Sequence, residues 1–340
     1  MKNVKQLKNL DFRVTFKSKG CVNFDSNDQK FELRDMKLLK GQVYDNVLFA
    51  KKIYYNNPDG SYSFLYKISS EALRHAIFIE SMPFLNPIIT QLPQVFYNAI
   101  ATPAMISRGY MQADKMKSLK RKSPLTITDA VEKGEKRNVI SIDFHSRSGA
   151  KNARTDDKGD TSIYFIENVG ENEYVSEGNI DLQELQFISA DPSYDRMGVD
   201  VDGGVNGEIF IDSLNRNFPS SEKRFGYYYI KNTITEDEWA ERGVLLSKDD
   251  VDYLVKYILK NILNAKIVRR NALCVIDKLE VSFDNRQTYQ NVELKDLDDF
   301  YFMVDEKYQE ASEEKIIENS LKISEKNSEK TSKNLLKNKK

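Results

Sequence analysis

"SKDDVDYLVKYILKNILNAKI", residues 247–267, is the stretch on which the fold reading turns. Ser247 stands where a helix N-cap belongs, and Asp250, three residues on, has the reach to accept from the Ser247 N–H in a capping box. Val251, Leu254, Val255, Ile258, Leu259 and Ile262 then recur on one helical face. That face must be covered, so the pattern predicts a long helix laid on a sheet. "ALCVIDKLEVSF" (272–283) follows and reads as a strand of that sheet.

Working outward, "LDFRVTFKSKGCVNF" (10–24) alternates apolar and polar around Phe12, Val14 and Phe16, the period of a half-buried strand. Residues 25–62 are polar and irregular, with a turn at "NNPDGS" (56–61). "SSEALRHAIFIE" (69–80) predicts a helix capped at Ser69 or Ser70, with Glu71 in its first turn and Leu73, Ile77 and Phe78 on the apolar side. A second helix is expected over 93–108, interrupted at Pro103. "TSIYFIENV", "NEYVSEGNIDLQELQFIS" and "FGYYYIKNTI" are strand-like, and "VDVDGGVNGE" between them reads as a turn. A strand, a helical region, middle strands, a long helix and a last strand fit a ferredoxin-like α+β fold. Its helices lie on one face, and the other face is left for a partner, as in RNA-recognition modules.

The 340 residues carry 51 basic and 52 acidic side chains, a net charge of −1. No simple polybasic argument for nucleic acid follows, yet the charge is unevenly placed. In "GYMQADKMKSLKRKSPLTITDA" (109–130), Lys115, Lys117, Lys120, Arg121 and Lys122 have no acid among them between Asp114 and Asp129. A solvated helix face would interleave glutamates. Arg108 and Tyr110 just upstream offer a guanidinium and a ring for stacking, and Ser123 and Thr126 offer hydroxyls to phosphate. "EKRNVISIDFHSRSGAKNAR" (135–154) repeats the pattern with Lys136, Arg137, His145, Arg147, Lys151 and Arg154, and small residues at Gly149 and Ala150. Nucleic acid, a plain surface loop, and anionic lipid or another polyanion all stay open on this chemistry alone. Residues 111–160 hold few large apolar side chains and read as a protruding excursion.

No GxGxxG, P-loop, GxSxG or HExxH pattern occurs, and no Cys/His spacing suits a metal, so neither cofactor nor metal is expected. Asp200, Asp202 and Glu208 lack EF-hand spacing and read as turn chemistry. His75, in an apolar helix, is expected buried or half-buried. Cys21 and Cys274 are expected as buried free thiols. No secretory leader and no apolar run of membrane-spanning length is seen, which predicts a soluble, cytoplasmic chain with no membrane partner. After Glu310 the chain lacks aromatics and is dominated by Lys, Glu, Ser and Asn, so a disordered tail is expected.

"RGYM" (108–111), "LKRKSPLTITDAVE" (119–132) and "NIDLQELQFISADPSYDR" (179–196) resemble one family, with "DFRVTFKSKGCVNFD" and "GVLLSKDDVDYLV" in the same order around them. It is the CRISPR RNA-binding backbone subunit of type I surveillance complexes (Cascade) in the minimal type I-F variant, a member of the RAMP superfamily. The resemblance spans roughly 8–285 and implies a hand-shaped protein. Its RRM-like palm would comprise 1–24, 63–110 and 160–305, with finger-like 25–62, a basic thumb at 111–159 and a charged tail at 306–340. It implies no catalysis and no cofactor. The implied partners are crRNA, target DNA through that crRNA, further copies in a head-to-tail filament, and the 5′-handle-capping and 3′-hairpin-binding subunits. By motif, Arg108, Lys120, Arg121 and Ser123 would grip the RNA backbone, Asn23 would donate to phosphate or ribose, and 146–154 would form the thumb. Arg196 would touch RNA or pair between subunits. Acidic segments such as "ITEDEWAE" (234–241) and "KDLDDF" (295–300) would let a basic groove coexist with a neutral total. Two alternatives stand beside this: a processing ribonuclease of related fold using His75 or His145, and a general single-strand binder.

Overall fold

The structure is a computed structural model that describes residues 2–24, 47–48, 50–80, 93–113, 118–134, 140–147, 162–201, 205–220, 222–231, 240–269, 272–283 and 288–312. The chain opens with β1 (Asn3–Leu7) and β2 (Asn9–Lys19). In β2 the alternation works as read, sending Leu10, Phe12, Val14 and Phe16 into the core. Next come β3 (Val47–Leu48), β4 (Lys52–Asn56) and β5 (Tyr62–Ile68). β4 and β5 form a hairpin whose turn falls at the expected "NNPDGS", with Gly60 at φ +80° and Asp59 accepting from the Ser61 N–H at 2.9 Å. The reading of 25–62 as irregular throughout is therefore corrected over 52–62, and 25–46 lies outside the described residues.

α1 (Ser70–Phe78) has Ser69 at its N-cap position, without a side-chain cap hydrogen bond, and buries Leu73, Ile77 and Phe78. The second helix divides at the expected proline into α2 (Pro93–Ile100) and α3 (Pro103–Arg108). Pro103 takes a first-turn position, where its missing N–H costs nothing, and the Thr102 side chain accepts from the Met105 N–H. β6 (Tyr110–Ala113) and β7 (Ser118–Arg121) pair as a hairpin. β8 (Leu125–Ile127), β9 (Ala130–Glu132), β10 (Ile140–Arg147), β11 (Ser162–Val169) and β12 (Glu171–Asp181) follow. β10 and β11 form a long hairpin, but β8 and β9 pair with β12 inside the main sheet, burying Leu125, Ile127 and Ala130. The excursion expected at 111–159 is thus not one protrusion: its middle is core strand.

The remaining elements are α4 (Leu182–Gln186), β13 (Phe187–Ser189), α5 (Val205–Asn217), β14 (Phe225–Ile230), β15 (Glu241–Leu245), α6 (Lys248–Asn264), β16 (Lys266–Arg269), β17 (Ala272–Ser282), β18 (Tyr289–Asn291), β19 (Phe300–Val304) and β20 (Tyr308–Glu310). α5 starts inside the "VDVDGGVNGE" read as a turn and buries Phe210 and Leu214. Residues 306–310, expected in the tail, are structured: β20 pairs with β14 and Tyr308 stacks on Phe187 at 4.5 Å between ring centroids. Residues 313–340 lie outside the described residues.

The main sheet runs β16-β17-β2-β12-β9-β5-β4, with β18 on β17 and β8 on β12. Every one of these pairings is antiparallel. α6 lies against it with its capping box formed, and its six apolar residues are fully buried, each worth about 1.5–3 kcal/mol relative to exposure. Asp250 serves three groups, closing the cap, accepting from the Ser220 N–H at 3.1 Å and pairing with the buried Lys223 amine at 3.3 Å. A four-stranded sheet, β13-β15-β14-β20, and a parallel pair, β1-β19, complete the surroundings of the core. Cys21 and Cys274 are buried and unbridged.

Candidate nucleic-acid interface

The site is built where three chain reversals meet. α3 ends at Gly109, whose φ of +75° turns the chain directly into β6. A Cβ there would lie 2.7 Å from the Arg121 carbonyl oxygen and from the Ser123 N, so only glycine lets β6 and the end of β7 approach this closely. The β6–β7 hairpin is then pinned to the loop after β13. The Lys120 N–H donates to the Met197 carbonyl at 2.8 Å, and the Tyr110 hydroxyl donates to the Gly198 carbonyl at 2.8 Å. Burial raises the pKa of that phenol. The result is an open groove of ≈ 710 Å³. It is bounded by α1 (Glu71, Arg74), the end of α3 (Arg108), the hairpin and its exit (Tyr110, Met111, Lys120, Arg121, Lys122, Ser123), Glu184 of α4, and the loop residues Asp195 and Arg196. Six basic side chains and three carboxylates line it, with Arg121 buried beneath it and Arg196 paired to Glu241. Positive charge is therefore concentrated here although the chain as a whole is nearly neutral.

The period of a strand decides what each basic side chain does. Along β7 the burial alternates, so Leu119 and Arg121 point inward while Ser118 and Lys120 point out. Arg121 is 5% exposed. Its guanidinium donates to the carbonyls of Phe187 at 2.8 Å, Glu184 at 3.0 Å and Ile106 at 3.1 Å, with a longer contact to Leu185. Burial lowers its pKa from the ordinary arginine value. The expectation that Arg121 grips RNA is corrected: it is the internal tie joining α3, α4 and β13 beneath the groove floor. Tyr110 is likewise a strut through its hydroxyl. Ser123 has committed its hydroxyl proton to the Leu125 carbonyl at 2.8 Å.

Lys120 and Lys122 are exposed. Lys120 pairs with Asp195 at 3.0 Å, but that carboxylate is 94% exposed and the pair is worth little, so the amine is released at small cost. Lys122 makes no ion pair among the described residues. Arg196 differs. It is held by Glu241, with Nε 3.1 Å from Oε1 and a second contact from its Nη2 to Oε2. Burial opposes its charge, but the Glu241 carboxylate outweighs burial and raises its pKa. Its ion-pair partner within the chain is Glu241, and its side chain also lines the groove.

Asn23 is half-buried, and its Nδ2 has no hydrogen-bond partner among the described residues. Lys115, Lys117, Lys136, Arg137, Lys151 and Arg154 lie outside the described residues. The backbone of His145 and Arg147 belongs to β10, on a different sheet from the groove. His75 is exposed on α1, not buried as expected, and makes no hydrogen bond or ion pair among the described residues. The groove residue missed in the sequence is Arg74. The apolar side of α1 drew the reading to Leu73 and Ile77, and Arg74 on the same helix was passed over; it forms no ion pair with Glu71. No group of His, Cys, Asp and Glu suited to a metal occurs among the described residues, and no helix among them is long and apolar enough to cross a membrane.

A family model described as type I-Fv CRISPR-associated protein Cas7fv-like matches residues 6–310. Among solved structures, a chain of a CRISPR RNA-guided surveillance complex aligns at 9% identity and TM-score 0.36, covering 80% of this chain and 68% of that one. A chain of a CRISPR RNA-guided surveillance complex, pre-nicking, aligns at 9% identity and TM-score 0.37, covering 80% and 75%. No curated protein matches.

Proposed function

Given that the chain belongs to the Cas7fv-like family of type I-Fv CRISPR-associated proteins, we propose that it is a non-catalytic backbone subunit of a type I effector complex that binds CRISPR RNA. The family match over residues 6–310 carries this reading. The groove supports it with a mechanism. A protein that must hold any spacer cannot read bases and has to grip sugar and phosphate. Lys120, Lys122 and Arg108 supply that grip from around a floor made rigid by Arg121 and Gly109. Arg121 contributes by fixing the elements that carry the gripping residues.

The finer reading is an RRM-like palm. It is supported by the strand order β17-β2-β12-β8/β9, with α1 on the chain between β2 and β8 and α6 on the chain between β12 and β17. Copies would stack head to tail on the crRNA, hold it for pairing with target DNA, and meet the handle-capping and hairpin-binding subunits at the ends. Asn23 and the basic residues of 137–154 would extend the RNA track. A head-to-tail contact is heterologous and propagates as a filament. Among the described residues His75 makes no hydrogen bond or ion pair that would tune it, so it lends the ribonuclease alternative no support.

The test is to purify the full chain from its host and sequence the RNA that accompanies it. CRISPR repeat–spacer transcripts of diverse spacer sequence are expected. Bound RNA of one fixed sequence, or none, would contradict the reading.

A further inference from the structure

Arg74 projects from α1 into the groove beside Arg108, at the end of α3. Its Nη2 donates to the Arg108 carbonyl at 2.8 Å, which anchors one guanidinium against the backbone that carries the other. Its Nε is buried with no acceptor among the described residues, and it makes no ion pair among them although Glu71 lines the same groove. Two like charges are thus brought together on separate helices, and one of them has an N–H left over.

We propose that Arg74 and Arg108 together form an anion subsite whose ligand is a single phosphodiester phosphate of the RNA backbone. This rests on the reading of the groove as an RNA interface and adds to it the residue and the stoichiometry, two guanidiniums on one phosphate. Planar guanidiniums suit phosphate oxygens because each presents several N–H groups in one plane. A phosphate between the two removes their mutual repulsion and pairs a guanidinium that has no carboxylate partner among the described residues. Burial, and then the repulsion from Arg108, lower the pKa of Arg74, a cost that a bound anion reverses. The competing explanation is that Arg74 is only a strut tying α1 to the end of α3.

The experiment measures affinity of the full chain for single-stranded RNA from about 50 to 300 mM salt, for wild type, Arg74→Gln, Arg108→Gln, the double variant and Lys122→Ala. Arg74→Gln and Arg108→Gln are each expected to lower the log–log salt slope by up to about 0.7, and the double variant to lose about 0.7 in total rather than 1.4, because one phosphate is shared. If Arg74→Gln fails to fold, Arg74→Lys is read instead: it keeps the charge, so the slope is expected to hold while affinity falls several-fold. An unchanged slope in Arg74→Gln with a lowered melting temperature would reduce Arg74 to a strut and overturn the subsite, provided Lys122→Ala still loses slope. If Lys122→Ala also leaves the slope unchanged, the groove itself is not the RNA interface, and both claims fall. Displacement of RNA by inorganic phosphate at matched ionic strength would assign the subsite to the free anion and overturn the RNA claim, whereas no displacement beyond that of chloride is expected.

Discussion

Replacing Arg121 separates the two roles that a basic residue in this hairpin can have. Its guanidinium is 5% exposed and serves three carbonyls within 3.1 Å, those of Ile106, Glu184 and Phe187. A hydrogen bond from a charged donor contributes about 1.5–3 kcal/mol, and each buried carbonyl left without a donor costs about 1–3 kcal/mol. Against this stands the desolvation of the guanidinium, which shows as its lowered pKa. Arg121→Met fills much of the volume but satisfies none of the carbonyls, so a net loss of about 3–5 kcal/mol is expected. Urea unfolding at fixed ionic strength reads it as a lower midpoint at unchanged m-value. Where the variant is still folded, its RNA salt slope should equal that of the wild type, because Arg121 meets no phosphate. A loss below about 1 kcal/mol together with a slope lowered by about 0.7 would refute the reasoning, since it would mean that the guanidinium leaves the interior to bind RNA.

Other outcomes follow from the same structure. Gly109→Ala places a Cβ 2.7 Å from the Arg121 carbonyl oxygen at φ +75°, while Gly60→Ala meets open space at φ +80°. Thermal unfolding should show Gly109→Ala costing more than Gly60→Ala, which bears only about 1–2 kcal/mol of backbone strain, and equal costs would deny the close approach. Lys223 has its pKa held below the ordinary lysine value by burial, against the pull of Asp250. The unfolded chain then keeps that proton to higher pH, so this group adds stability as pH rises from its folded value toward the ordinary one. Lys223→Met should flatten the rise in urea midpoints over that interval, and an identical slope in both proteins would count against the assignment. Burial pushes the Cys274 thiol up to about 12, so the native chain should resist a thiol reagent at pH ~8 until it opens, whereas prompt labelling would contradict its burial.

The parts of the fold legible in the sequence are those where local chemistry and tertiary demand agree. α6 announces itself through Ser247, Asp250 and one apolar face, and Pro103 marks a break that any helix would have to make. α5 was hidden because its first turn runs on from a Gly-rich segment and contains Gly207, which packs against Val201 and Phe225. β8 and β9 were hidden because lysines on either side masked the short alternation of Leu125, Ile127 and Ala130. The candidate site was legible as a region but not residue by residue. Residues 108–111 and 120–123 line the groove, yet which cation faces it depends on strand parity. Parity puts Lys120 out and Arg121 in, and a run of adjacent cations does not reveal it. Arg74 required the third dimension altogether, being 34 residues from the Arg108 carbonyl it meets.

The central claim, that the groove holds RNA by its backbone without reading sequence, is tested most directly by salt titrations of two RNAs of equal length and unrelated sequence. They would be measured with the wild-type chain and with a Lys120→Ala/Lys122→Ala variant. The account predicts equal affinities and equal log–log slopes for the two RNAs, and a slope lower by about 0.7 for each contact removed in the variant. Affinities that differ widely between the two sequences, or a variant indistinguishable from wild type, would contradict it.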